Sequence, residues 1–140
     1  MQEYTTKSEE ETRKVAQMFA SQLTGGEVVE LIGELGSGKT TFVRGVVEAL
    51  GSSVKVKSPT FTVMNEYPVN GETIKRIAHL DLYRFDDPVQ TEALAFDDYK
   101  RADTVIFIEW PDVFPEPMVT ADRKVLFTFV DEGTRKIVVE

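Results

Sequence analysis

The residues Gly33-Glu34-Leu35-Gly36-Ser37-Gly38-Lys39-Thr40 carry the spacing G-x-x-x-x-G-K-[ST] in full. Each fixed position has a task in gripping a polyphosphate. Glycines permit backbone conformations forbidden to other residues and let the main chain come close, so successive N–H groups can point inward as an anion nest. A helix starting near Lys39 would add its positive end and its unpaired amides. The Lys39 ammonium would reach the β- and γ-phosphates, and the Thr40 hydroxyl would ligate the magnesium that bridges them. A glycine-rich turn that matches by chance is the plain alternative, expected on the order of once in 200 chains of ordinary composition and this length.

Hydrolysis needs a second group beside the metal, usually an acid at the end of a neighbouring buried strand. Two positions qualify. Glu109 follows Val105-Ile106-Phe107-Ile108, four apolar residues in a row, which suits a central strand opening onto the ligand crevice. Asp81 follows Ile77-Ala78-His79-Leu80. Either acid could instead be a surface cap or a salt-bridge partner, and the pattern leaves open which one serves the metal. His79 and Asp81 are two apart and would share one face of a strand. For His79 by itself, a packed or hydrogen-bonded side chain is the plainer reading. Ser58-Pro59-Thr60-Phe61 is either a nucleotide-sensing loop or a proline-punctuated edge strand. Trp110, the one tryptophan, is either core packing or an anchor for a base or a partner.

The elements that must position these groups follow from local signals. Ser8 and Glu11 have the spacing of a capping box, after which Val15, Met18, Phe19 and Leu23 form one apolar stripe and Gly25-Gly26 a break. Glu27 to Ile32 predicts a buried strand, and Lys39 to Leu50 a helix with Phe42, Val43, Val46, Val47 and Leu50 on one side and Gly51 as its stop. Val54 to Tyr67, the turn signal Asn70-Gly71 and a return strand from about Thr73 to Tyr83 predict a hairpin. A short helix over Val89 to Lys100 and a buried strand over Thr104 to Ile108 come next. Lys124 to Val130 and Arg135 to Glu140 flank a turn and predict a second hairpin. This order predicts a three-layer α/β domain of the P-loop NTPase-like kind, with a mixed central sheet: parallel strands in the middle and antiparallel hairpins at the edges.

Composition bounds the rest. A chain of 140 residues accommodates a single domain, residues 1–140. With 16 Lys+Arg against 24 Asp+Glu, the net charge of −8 argues against a surface that wraps nucleic acid unaided. No cysteine and one histidine exclude thiol chemistry and multi-histidine metal clusters. No apolar run approaches the ~18–20 residues of a spanning helix, and the acidic start lacks the order of an export signal, so no membrane contact and a cytoplasmic location are expected.

Taken in order, G-E-L-G-S-G-K-T-T-F-V-R-G, S-P-T-F, H-L-D-L-Y-R and I-E-W-P resemble the TsaE (YjeE) family, the small bacterial ATPases of tRNA threonylcarbamoyladenosine (t6A) synthesis. The resemblance runs from the first helix to Pro111. It implies an ATPase, weak alone, that binds ATP or ADP with Mg2+ and joins the TsaB and TsaD proteins, meeting tRNA only through them. It implies that Gly36, Ser37, Gly38, Lys39, Thr40 and Thr41 cradle the phosphates, that Thr40 holds magnesium, and that Glu109 is a second metal or catalytic carboxylate. It further implies that Ser58, Pro59 and Thr60 form a switch-like loop with Thr60 at the nucleotide, that Asp81 and Trp110 are required for activity, and that Thr12 and Arg135 lie on the adenine side.

Other functions remain in view. A GTP switch generally carries Asn-Lys-x-Asp, and the only asparagines, Asn65 and Asn70, precede Glu and Gly. A small-molecule kinase needs an arginine-rich lid, and Arg76, Arg84 and Arg101 are scattered. A docking module whose nucleotide only orders a surface would use Phe61, Tyr83 and Trp110 near the site.

Overall fold

The computed structural model describes residues 1–52, 56, 64–81, 99–110 and 120–140. The first helix, α1 (Glu9–Ser21), starts where the capping signal places it: the Ser8 hydroxyl accepts from the Glu11 amide at 3.1 Å. The reciprocal bond is displaced by one residue, since the Glu11 carboxylate accepts from the amide of Lys7 and not of Ser8. Glu9, Glu10 and Glu11 set negative charge at the helix's positive end. Val15, Phe19 and Leu23 are buried as expected, but Met18 is about half exposed and falls off the stripe.

Seven strands form one mixed sheet in the order β1-β7-β6-β2-β5-β4-β3. They are β1 (Gln2–Thr6), β2 (Val28–Ile32), β3 (Met64–Pro68), β4 (Arg76–Asp81), β5 (Thr104–Glu109), β6 (Arg123–Asp131) and β7 (Thr134–Val139). The four central strands, β6, β2, β5 and β4, run parallel. Antiparallel partners close both flanks: β3 on β4, and β7 then β1 on β6. The expected centre and edges are therefore present, with β1 as an outer strand that the sequence did not announce.

Between β2 and the second helix, α2 (Lys39–Ala49), lies the glycine loop. Gly51 ends α2 with φ +86°, and Gly25 and Gly26 turn the chain after α1 with φ of +109° and +85°. Both helices pack on one face of the sheet. A run of tilted rings fixes them there, Phe107 to Phe19 at 6.4 Å, Phe19 to Phe42 at 5.4 Å and Phe42 to Phe127 at 5.4 Å between centroids. Val29, Leu31, Val105 and Val125 complete this core. Val28, Ala78, Leu80, Ile106 and Ile108 alternate to the other face and are buried as well. The expected helix over Val89 to Lys100 lies almost wholly outside the described residues.

Candidate functional site

Parallel strands deliver their carboxyl ends to one edge of the sheet, and the site lies there. β4 and β5 are in register with Asp81 opposite Glu109, so the two acids proposed from separate apolar runs stand side by side. Leu31, near the end of β2, is the other neighbour of Glu109, and the glycine loop begins two residues later. Both acids are buried, at 7% and 5% exposure, a costly placement for carboxylates unless cations answer them.

The cation is Lys39. Its ammonium donates to the Gly33 carbonyl, stands 3.8 Å from Glu109 Oε1 and sits 4.3 Å from the centre of the Trp110 ring. Burial pushes the Lys39 amine below the ordinary lysine value, and Glu109, then Asp81 and Glu34, oppose that lowering. Trp110 has φ +59°, a left-handed conformation uncommon for a bulky residue, which turns the chain at the end of β5. His79, fully buried on β4, brings Nε2 to 2.8 Å from Glu109 Oε2. The contact is close but is not counted as a hydrogen bond, and neither ring nitrogen has another hydrogen-bond partner among the described residues.

The loop itself leaves room for an anion. Gly36 and Gly38 take φ of +75° and +107°, and a Cβ on Gly36 would meet nothing within 4 Å, leaving the cradle open. Gly38 is the N-cap of α2 and supplies no side-chain cap, so the first amides of the helix are left for another acceptor. The Ser37 hydroxyl, buried beneath the loop, has no hydrogen-bond partner among the described residues. Gly33 is needed for a different reason: a Cβ there would lie 2.7 Å from Ser37 Oγ and 2.8 Å from the Phe127 carbonyl.

These groups open into a cavity of about 420 Å³. Gly36, Gly38, Lys39, Thr40, Thr41, Asp81, Glu109, Trp110, Thr12 and Arg135 all line it; Ser37 supports the loop from below. Thr12 is buried and shares a 2.8 Å hydroxyl contact with Thr6 of β1. Arg135, at the start of β7, donates to the Gly36 carbonyl at 3.2 Å and to the Asp131 carbonyl at 2.7 Å. It thereby ties the last hairpin to the glycine loop. Ser58, Pro59 and Thr60 lie outside the described residues, as do Phe61, Tyr83 and Arg84. Arg76 pairs with Glu66 at 3.9 Å and is absent from the cavity lining.

The sequence reading missed the wall made by Lys7, Ser8 and Glu9 on one side and Glu132 and Gly133 on the other. Only the capping signal at Ser8 and the turn at Gly133 hinted at it, and neither says what the turn faces. Among the described residues no three His, Asp or Glu side chains converge as a ready-made metal cage. Magnesium takes one or two protein oxygens and completes its shell with phosphate and water. Thr40, Asp81 and Glu109 are the oxygens within the cavity that could hold it.

Comparison with known proteins places this geometry in context. A family model described as "Threonylcarbamoyl adenosine biosynthesis protein TsaE" matches residues 6–137. The "tRNA threonylcarbamoyladenosine biosynthesis protein TsaE" of Bacillus subtilis is 33% identical over 134 residues, spanning 96% of this chain and 82% of that one. Its counterpart from Aquifex aeolicus is 36% identical over 140 residues, spanning 98% and 94%. Among solved structures, Bacillus subtilis YdiB superposes with a TM-score of 0.77 at 29% identity, over 97% of this chain and 82% of that one.

Proposed function

The chain belongs to the TsaE family of threonylcarbamoyl adenosine biosynthesis proteins, and from that premise we propose that it binds ATP with magnesium and hydrolyses it as one component of an assembly with TsaB and TsaD. One observation carries the enzymatic part of the reading. A buried lysine at the uncapped amino end of a helix and two adjacent buried acids line one cavity with a glycine loop. No packing need explains that concentration of charge.

In this reading the amides of Gly36 to Thr41 and the Lys39 ammonium hold the β- and γ-phosphates and stabilise charge as it shifts onto the leaving oxygen. Thr40 and one of the two acids would hold magnesium, which when bound would supply charge neutralisation to the phosphates. The remaining acid orients a water and takes up its proton as the water's oxygen attacks the γ-phosphorus; the bond to the β-phosphate oxygen breaks, and ADP and inorganic phosphate leave. Thr12 and Arg135 flank the space left for the nucleoside. The net charge of −8 supports a member that meets tRNA through its partners and not by its own surface.

Three variants test the proposal. Lys39→Ala is expected to weaken ATP binding by about tenfold or more, since charge-assisted contacts contribute ~1.5–3 kcal/mol each. Glu109→Ala is expected to keep binding and lose turnover, measured with TsaB and TsaD present. Unimpaired turnover in a Glu109→Ala, Asp81→Ala double variant would remove both acids from the reaction. Full partner binding without turnover in Glu109→Ala, but not in Lys39→Ala, would favour the docking-module reading. Calorimetry that registers no heat with ATP and magnesium would end the proposal.

A further inference from the structure

The imidazole of His79 is hard to account for as packing. It is fully buried on the helix-bearing face of β4, between Ile77 and Asp81 on the same face, where an apolar side chain would fill the space at lower cost. Neither ring nitrogen makes an aligned hydrogen bond among the described residues, and its one close polar contact is the Glu109 carboxylate. The register explains how that contact arises. His79 stands opposite Phe107, two residues before Glu109 on β5, so the ring reaches diagonally across the strands.

The two oxygens of Glu109 are thereby divided between two neighbours. Oε2 faces His79 at 2.8 Å, and Oε1 faces Lys39 at 3.8 Å. A lysine that serves phosphates must turn from the acid toward them, and His79 is then the neighbour that still holds the carboxylate. We propose that His79 is a positioning residue for Glu109, holding Oε2 so that Oε1 stays directed into the cavity. The inference rests on the reading of Glu109 as an acid of the site.

Two measurements test it. This chain has one histidine, so its ring nitrogens give a single set of NMR signals. Those signals are expected to shift in Glu109→Gln without any nucleotide present; unchanged signals would overturn the proposal. In ATP turnover, His79→Leu is expected to lower kcat by about 10–100-fold while KM stays within about twofold, as for other groups that orient a ligand-bearing side chain. His79→Gln, whose amide nitrogen reaches about as far as Nε2, is expected to restore most of kcat, and the shorter His79→Asn is not. If His79→Leu does not fold, the Gln and Asn variants carry the comparison, and equal rates in those two would overturn the proposal. A wild-type chain that turns over no ATP with TsaB and TsaD present would remove the functional reading instead, leaving the NMR result to decide the contact.

Discussion

Lys39 has three neighbours of different kinds: a backbone carbonyl, a carboxylate and an indole face. Burial lowers its pKa, and the acids around it recover only part of that loss. Phosphate oxygens beside the ammonium favour the charged form and must raise the value again. The sign of the linkage follows. At pH well below the lowered pKa the lysine is already charged and binding moves no proton at this group. As pH rises through that value, ATP binding is expected to take up protons at Lys39 and to weaken. Calorimetric titrations in buffers of different ionisation enthalpy measure the uptake, and Lys39→Arg, which stays charged, is expected to abolish it.

At the scale of elements, two glycines show how one residue type serves opposite needs. Gly45 faces α1, where a Cβ would stand 2.7 Å from the Ala16 Cβ and 3.1 Å from the Arg13 Cα. Gly45→Val must force the two helices apart, at an expected cost of about 1–3 kcal/mol, seen as a lower urea midpoint at unchanged slope. Gly36 has open space around it but φ +75°. Gly36→Ala is expected to cost only about 1 kcal/mol of backbone strain, and to weaken nucleotide binding more than it weakens the fold. The elements that pack these glycines were legible because their signals are local. Ser8 with Glu11 marked α1, four apolar residues marked β5, and Gly51 stopped α2. Strand β1 was not legible, because Gln2 to Thr6 are a strand by virtue of pairing with β7 at the far end of the chain. Met18 misled because helical spacing shows a face but not where its rim meets solvent.

The site was legible residue by residue but not as an enclosure. Motif spacing found the loop, Asp81 and Glu109, each the end of a recognisable segment. It could not show that Asp81 and Glu109 pair in register, nor that Arg135 closes on Gly36, since both depend on strand order across the whole sheet. The two ends of the chain make a common wall, with the Thr6–Thr12 hydroxyl contact and Lys7 on one side and Arg135 on the other. Removing residues 1–7 is expected to leave β7 as an open edge and to take away that support. ATP affinity is then expected to fall roughly fivefold to tenfold, the equivalent of ~1 kcal/mol or slightly more, as measured by calorimetry. Light scattering is expected to show self-association through the bare edge.

The tie from Arg135 to the Gly36 carbonyl also sets an order of events during protein synthesis. The glycine loop, its lysine and both acids leave the ribosome well before the strand that carries the guanidinium. A nascent chain can therefore form the central parallel strands and still lack a closed nucleotide pocket. If the proposed function holds, full affinity for ATP is expected only once the final hairpin has emerged and folded back, and a translation product stalled short of residue 135 is expected to bind ATP more weakly.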